Sequence, residues 1–117
     1  MAQEISPELQ NQMVQFQQVQ QQLQIHAAQR VQYEAKLREI DVTLEELKNA
    51  KEDATIFKSI GTLLVEADDR EAIAKELEEH KETLNIRLEG LKKQEKSLQD
   101  RFQELQKAIS EAITRSG

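Results

Sequence analysis

The stretch that decides the fold is Thr55-Ile56-Phe57-Lys58-Ser59-Ile60-Gly61-Thr62-Leu63-Leu64-Val65-Glu66-Ala67. Two short runs rich in β-branched and other apolar residues flank the central glycine, and this pattern predicts a β-hairpin over residues 54–67. The alternative is one helix that continues through the region and makes the chain a single rod. A β-branched residue, a glycine and a second β-branched residue in succession are a poor helix interior. The hairpin is therefore favoured.

Both faces of the predicted hairpin carry apolar side chains. Strands that are apolar on both faces require cover on both sides. An isolated hairpin is only marginally stable in water and leaves two open edges. We therefore predict that the chain oligomerises through these strands. The residues assigned to this assembly surface are Ile56, Phe57, Ile60, Gly61, Leu63, Leu64 and Val65.

Long helical arms are predicted on either side, over residues 7–51 and 69–114. Both arms show the 3–4 spacing of apolar residues that is typical of a coiled coil. Ser6-Pro7-Glu8 supplies a start signal for the first arm, and Asp68 with Glu71 resembles a capping box for the second. The first seam comprises Leu9, Gln12, Phe16, Val19, Leu23, His26, Arg30, Tyr33, Leu37, Ile40, Leu44 and Leu47. The second comprises Ala74, Leu77, Lys81, Leu84, Leu88, Leu91, Glu95, Leu98, Phe102, Leu105, Ile109 and Ala112.

A hairpin reverses the chain, so the second arm is expected to run back along the first as an antiparallel coiled coil. The fold class is thus mainly α, with two long helices joined by a single β-hairpin. Both chain ends are expected together at a tip, at the far end from the hairpin. The predicted register pairs Leu44 with Leu77, Leu37 with Leu84, Tyr33 with Leu88, Val19 with Phe102, Phe16 with Leu105, and His26 with Glu95.

Composition excludes several classes of function. A net charge of −6 argues against nucleic acid and against an anionic membrane surface, since both require a basic face. The chain has no cysteine, so it has neither a disulfide framework nor a thiolate site. No secretory signal and no run of about 20 apolar residues is expected, which points to a cytoplasmic protein.

No pattern of catalytic or metal-binding residues is present. His26 and His80 are the only histidines, and they lie on different arms without ligand spacing. Asp68-Asp69 fits a turn and cap better than a metal dyad, and no nucleophile or phosphate-loop motif occurs. We predict that the chain is not an enzyme and that it binds neither a metal nor a cofactor.

The glutamine-rich first arm, the single hairpin through Phe57-Lys58 to Gly61 and Leu64-Val65, and the acidic turn resemble prefoldin beta subunits of the archaeal type. Alpha subunits of that family carry two hairpins. The roughly 20 residues between the arms of this chain are too few for four strands, at about 3.3 Å per residue, together with their turns. The resemblance implies a hexamer of two alpha and four beta subunits, in which the hairpins form β-barrels. It also implies arms that grip unfolded protein and deliver it to a group II chaperonin, without nucleotide.

The resemblance assigns client binding to apolar residues near the tip of the arms. The alternative is that these residues are ordinary core and scattered surface residues, and that the chain is a structural coiled-coil adaptor or tether for a folded partner. An adaptor needs only the coil, whereas prefoldin assembly also needs pairing strands. The residues assigned to client binding are Leu9, Met13, Val14, Phe16, Val19, Phe102, Leu105, Ile109 and Ile113.

Overall fold

The secondary structure follows the order helix, hairpin, helix. In this computed structural model, which describes residues 5–116, helix α1 spans Pro7–Asn49 and helix α2 spans Arg70–Ser116. Between them lie strands β1, Ile56–Ile60, and β2, Leu63–Ala67, which form one two-stranded antiparallel sheet. The predicted pair of long helices joined by a hairpin is thereby confirmed.

Side-chain caps set the start of each helix. The Ser6 Oγ accepts a hydrogen bond from the backbone N–H of Leu9 at 3.1 Å, as the sequence predicted for α1. At the start of α2 the cap is Asp69, whose Oδ1 accepts from the N–H of Ala72 at 3.0 Å. The prediction of Asp68 as the cap was wrong by one residue, because the carboxylate that reaches the third helical N–H is the one directly before Arg70.

The hairpin closes through Gly61 and Thr62. Ile60 pairs with Leu63 across the turn, and the pairing continues in register to Ile56 opposite Ala67. Gly61 has a φ of 59°, in the left-handed region, and it is the one residue in the described part of the chain with a positive φ. An L-residue is strained in that conformation because its Cβ approaches the backbone carbonyl.

Gly61→Ala and Gly90→Ala form a matched pair of substitutions with opposite expected signs. Gly61→Ala should lower the free energy of unfolding by about 1–2 kcal/mol, because alanine pays the left-handed penalty. Gly90 lies within α2 with nothing within 4 Å of the added Cβ, so Gly90→Ala should raise it by about 1 kcal/mol. Urea denaturation followed by circular dichroism measures both. Equal midpoints for the Gly61→Ala variant and the parent would show that the turn does not need glycine.

The chain divides into two compact units, which are described separately. The second unit runs from Gln32 to Leu88 and contains the hairpin. Here the Arg70 guanidinium donates to the backbone carbonyls of Ala50, at 2.9 Å, and Lys51, and so fastens the end of α1 to the start of α2. Lys58 on β1 lies 3.0 Å from Glu76 on α2, which ties the hairpin to the helix.

The seam of the second unit follows the predicted apolar rows. Ile40, Leu47, Leu84 and Leu88 are all buried. The polar exception, Lys81, lies 2.7 Å from Asp41. The hydrogen bond to Asp41, reinforced by the negative charge of that carboxylate, raises the pKa of the Lys81 ammonium above its usual 10.5. The lysine therefore stays charged at neutral pH and its ammonium is paired beside the seam.

The first unit combines the described residues up to Val31 with those from Glu89 onward. The two helices run antiparallel in this unit: as the residue numbers on α1 increase, the residue numbers of their partners on α2 decrease. The pairs are Gln15 with Arg101, Phe16 with Phe102, His26 with Gln94, and Arg30 with Glu95. The buried apolar residues of this seam are Leu9, Val19, Leu91 and Leu105.

Two details of the predicted register are corrected in this unit. The Glu95 carboxylate is bound by Arg30 instead of His26, since the longer arginine side chain reaches it from one turn further along α1. His26 instead lies within hydrogen-bond distance of the Gln94 side-chain amide, at 3.2 Å. Phe16 stacks on Phe102, which the predicted register had paired with Val19.

Candidate functional site

A groove in the first unit, near the start of α1 and the end of α2, is the main candidate site. Its volume is about 510 Å³. Four apolar side chains form its floor, and among the described residues its rim carries side-chain amides and hydroxyls but no charged group. We call it the tip groove; its lining is Met13, Phe16, Gln17, Gln20, Gln106, Ile109, Ser110, Ile113 and Thr114.

Helix periodicity aligns these residues along one flank of the seam. Met13, Phe16, Gln17 and Gln20 follow the i, i+3, i+4, i+7 spacing of a single helical stripe, and the residues from α2 follow a similar one. The Phe16 ring is held by offset stacking on Phe102, with centroids 4.6 Å apart and planes inclined by 28°. The floor is therefore fixed at its centre, while Met13 and Ile113 remain 39% and 57% exposed.

The other flank of the same seam is charged. A smaller groove of about 200 Å³ lies there, and it includes the side chains of Glu8, Glu111 and Arg115. The tip groove owes its neutrality largely to α1, which has no Asp, Glu, Lys or Arg from Leu9 to Gln29. At this level, then, the helix pair offers one neutral apolar flank and one charged flank.

The structure brings together only part of the predicted client set. Met13, Phe16, Ile109 and Ile113 line the tip groove. Others lie elsewhere: Leu9, Val19 and Leu105 are buried in the seam, Phe102 supports Phe16 from within it, and Val14 is 52% exposed but lines neither groove. The amides and hydroxyls of the rim are not among the residues predicted to bind clients. The stripe of glutamines beside Met13 and Phe16 was the available signal.

The hairpin forms a second exposed apolar surface, in the second unit. Phe57, Leu63 and Leu64 are 58%, 65% and 72% exposed. Cross-strand partners share a face of the sheet. Ile60 and Leu63 therefore lie on one face, while Leu64 projects from the other. The expected apolar surface on both faces is thus present within the chain.

A further groove, of about 350 Å³, lies between the hairpin and the helices of the second unit. Its apolar wall is formed by Leu47, Ile56, Phe57, Ile73 and Leu77. Sequence reasoning missed this feature, although Ile73 beside the seam was a signal of extra burial at the start of α2.

Two other kinds of feature are absent from residues 5–116. No cluster of three or more metal-ligating side chains occurs there. Neither helix has a stretch long and apolar enough to cross a membrane, as far as the described residues go.

Comparison with known proteins decides the family. The sequence profile described as "Prefoldin subunit" matches residues 10–116. The chain belongs to the prefoldin subunit family. It is 40% identical over 113 residues to the prefoldin subunit beta of Methanosarcina acetivorans, covering 97% of this chain and 96% of that one. It is also 40% identical over 111 residues to the prefoldin subunit beta of Archaeoglobus fulgidus, covering 95% of each.

The fold agrees with a solved prefoldin structure. The crystal structure of the prefoldin beta subunit from Thermococcus strain KS-1 matches with a TM-score of 0.83 and 35% identity, over 95% of this chain and 96% of that one. The resemblance drawn from the sequence is confirmed, and the chain is a prefoldin chaperone subunit. Membership of a family of subunits implies that it assembles with other prefoldin subunits.

Proposed function

We propose that this prefoldin subunit holds non-native polypeptide in the tip groove and thereby prevents aggregation, without nucleotide. The observation that carries the proposal is an apolar floor, exposed at Met13 and Ile113, inside a rim of amides and hydroxyls on which residues 5–116 place no charge. Unfolded chains share exposed apolar side chains but differ in the sign of their charges. A groove lined by uncharged side chains binds exposed apolar residues and does not discriminate between clients of opposite charge.

The expected grip of one groove is weak. Burial of apolar surface contributes roughly 25 cal/mol per Å², so a half-exposed side chain such as Ile113 adds about 1 kcal/mol. The whole floor therefore gives at most a few kcal/mol before the cost of ordering the client is subtracted. Several grooves acting on one client in an assembled complex raise the avidity without any new contact. Release then needs only the loss of a few weak contacts, so the proposed mechanism requires no nucleotide.

We propose that the hairpin supplies the assembly, with its exposed apolar residues pairing against neighbouring subunits in β-barrels. The arrangement proposed is two alpha and four beta subunits, acting in the cytoplasm and passing clients to a group II chaperonin. Support comes from the two apolar faces of the hairpin and from the family to which the chain belongs.

Ile113→Ser and Val14→Ser are the matched substitutions that test the groove. Both residues are apolar and similarly exposed, at 57% and 52%, but only Ile113 lines the groove. Ile113→Ser in the complex reconstituted with a prefoldin alpha subunit should weaken the suppression of aggregation several-fold, since every beta arm loses part of its apolar floor. Val14→Ser should leave it unchanged. Light scattering of a chemically unfolded client, diluted without ATP, measures both.

Equal losses in the two variants would contradict the groove, because they would mean that any exposed apolar residue near the helix ends serves equally. No loss in either variant would place the grip elsewhere on the arms. Circular dichroism melts of both variants are the control, and they should match the parent because neither substitution is expected to unfold the helices.

A further inference from the structure

A polar layer interrupts the apolar seam of the first unit. The Arg30 Nε lies 3.0 Å from both carboxylate oxygens of Glu95, and Glu95 is only 8% exposed. One turn before Arg30, the His26 ring lies 3.2 Å from the Gln94 amide oxygen and 2.8 Å from the carbonyl oxygen of Gln22. No polar side-chain atom buried within the described residues lacks a partner. The polar groups of the layer are therefore satisfied in the observed register.

We propose that Arg30 and Glu95 fix the register of the two helices in this unit, and so position the two halves of the tip groove. Neither residue lines the groove. They are positioning residues, because they act on the groove through the alignment of the two helices. The second half of the inference rests on the proposed function, whereas the first half does not.

The register argument follows from what Glu95 would meet in a different alignment. A slip of one heptad along α1 would take the carboxylate from Arg30 to Leu23 or Leu37, which are apolar seam positions. A buried carboxylate without a partner is strongly disfavoured. In the row that holds Leu23, Leu37 and Leu44, an alignment shifted by one heptad again matches leucine with leucine. That apolar row alone therefore discriminates poorly between registers. A single polar position in a seam is a known means of fixing register at some cost in stability.

The groove depends on this alignment. Its floor combines Met13 and Phe16 from α1 with Ile109 and Ile113 from α2, so it exists only when these residues stand at the same level. A slip of one heptad would replace Ile109 beside Met13 with a residue seven positions away.

The absence of cysteine in the chain makes register directly measurable. Gln15 and Arg101 are in contact at 2.7 Å, so the Q15C/R101C pair reports the native register through a short thiol cross-linker. The pairs Q15C/A108C and E8C/R101C report slips of one heptad in the two opposite directions. Each pair is introduced into the parent, into the double variant R30L/E95L, and into the charge-swapped variant R30E/E95R.

In R30L/E95L the native cross-link should fall several-fold and a slipped one should appear, while the melting temperature stays equal or rises. Stability is not expected to fall, because apolar residues often replace a buried ion pair without loss. R30E/E95R should restore the native cross-link. The matched control is D41L/K81L, which removes the ion pair beside the seam of the other unit and should leave the Gln15–Arg101 reporter unchanged.

Persistence of the native cross-link alone in R30L/E95L, at the yield of the parent, would overturn the inference and show that the hairpin connection sets the register unaided. Failure of the charge swap to restore the native cross-link would overturn it as well. The aggregation assay on the same variants separates the two proposals. If the register slips and suppression of aggregation falls, both stand; if the register slips and suppression is unchanged, the tip groove is wrong and the register inference survives.

Discussion

Leu64→Asp is expected to abolish assembly with other prefoldin subunits while leaving both helices folded. Leu64 is 72% exposed in the single chain, so an aspartate there costs little before assembly. If neighbouring strands cover it, the carboxylate is buried without a partner. Such a charge costs about 3–5 kcal/mol, which weakens each affected interface by about two to four orders of magnitude. In a complex with several beta subunits the effect is repeated at every one of them.

The hairpin allows each face to be tested separately. Leu63 and Leu64 are adjacent in β2 and project to opposite faces. Leu63→Asp places the charge beside Ile60, and Leu64→Asp places it opposite Ser59. Dissociation by both variants would mean that both faces of the hairpin are covered, as in a β-barrel whose inner and outer surfaces both contact other residues. Dissociation by one variant would identify the face that neighbouring subunits contact.

Ile86→Asp is the matched control, since Ile86 is 64% exposed on α2 and lies outside the hairpin. Size-exclusion chromatography with light scattering, after mixing with a prefoldin alpha subunit, measures the mass of the complex. A complex of full mass with both hairpin variants would refute the assembly role of the strands. Loss of mass with Ile86→Asp would show instead that any added acidic charge disrupts the assembly.

The sequence predicted the helices, the seam and the hairpin because each depends on short-range rules. Heptad spacing places Ile40, Leu84 and Leu105 in the seam, and all three are buried. The cap of α2 was misplaced because Asp68 and Asp69 are equally suited to the role, and the choice depends on which one directly precedes the first helical residue. A difference of one residue lies within the usual uncertainty of helix ends.

Side-chain reach is harder to predict from spacing. Seam arithmetic put His26 opposite Glu95, but it describes backbone levels and ignores the length of Arg30, which binds the carboxylate from the next turn. The tip groove was only half predicted for a related reason. Spacing shows that Met13 and Ile113 lie off the seam. It does not show that they share a flank or that neutral side chains frame them. Val14 is likewise an apolar residue off the seam, but it does not line the groove.

Removal of about ten residues from each end, leaving residues 11–107, is expected to abolish suppression of aggregation. The truncation deletes Ile109 and Ile113, and with them the α2 half of the groove floor. It also removes Leu9, which is buried in the seam. The loss of aggregation suppression should therefore exceed that caused by Ile113→Ser. The truncation removes the α2 half of the groove floor in every beta subunit, whereas Ile113→Ser changes one side chain.

Assembly should survive this truncation, since every hairpin residue from Ile56 to Ala67 is retained and Arg70 still fastens α1 to α2. Equal mass of the truncated and full-length complexes, with aggregation suppressed only by the full-length one, is the expected combination. Ile113→Ser in the intact chain separates loss of the groove from loss of helix length, because it changes the floor alone. If the truncated complex of full mass holds unfolded protein as well as the intact one, then clients are held further along the helices and the tip groove is not the site.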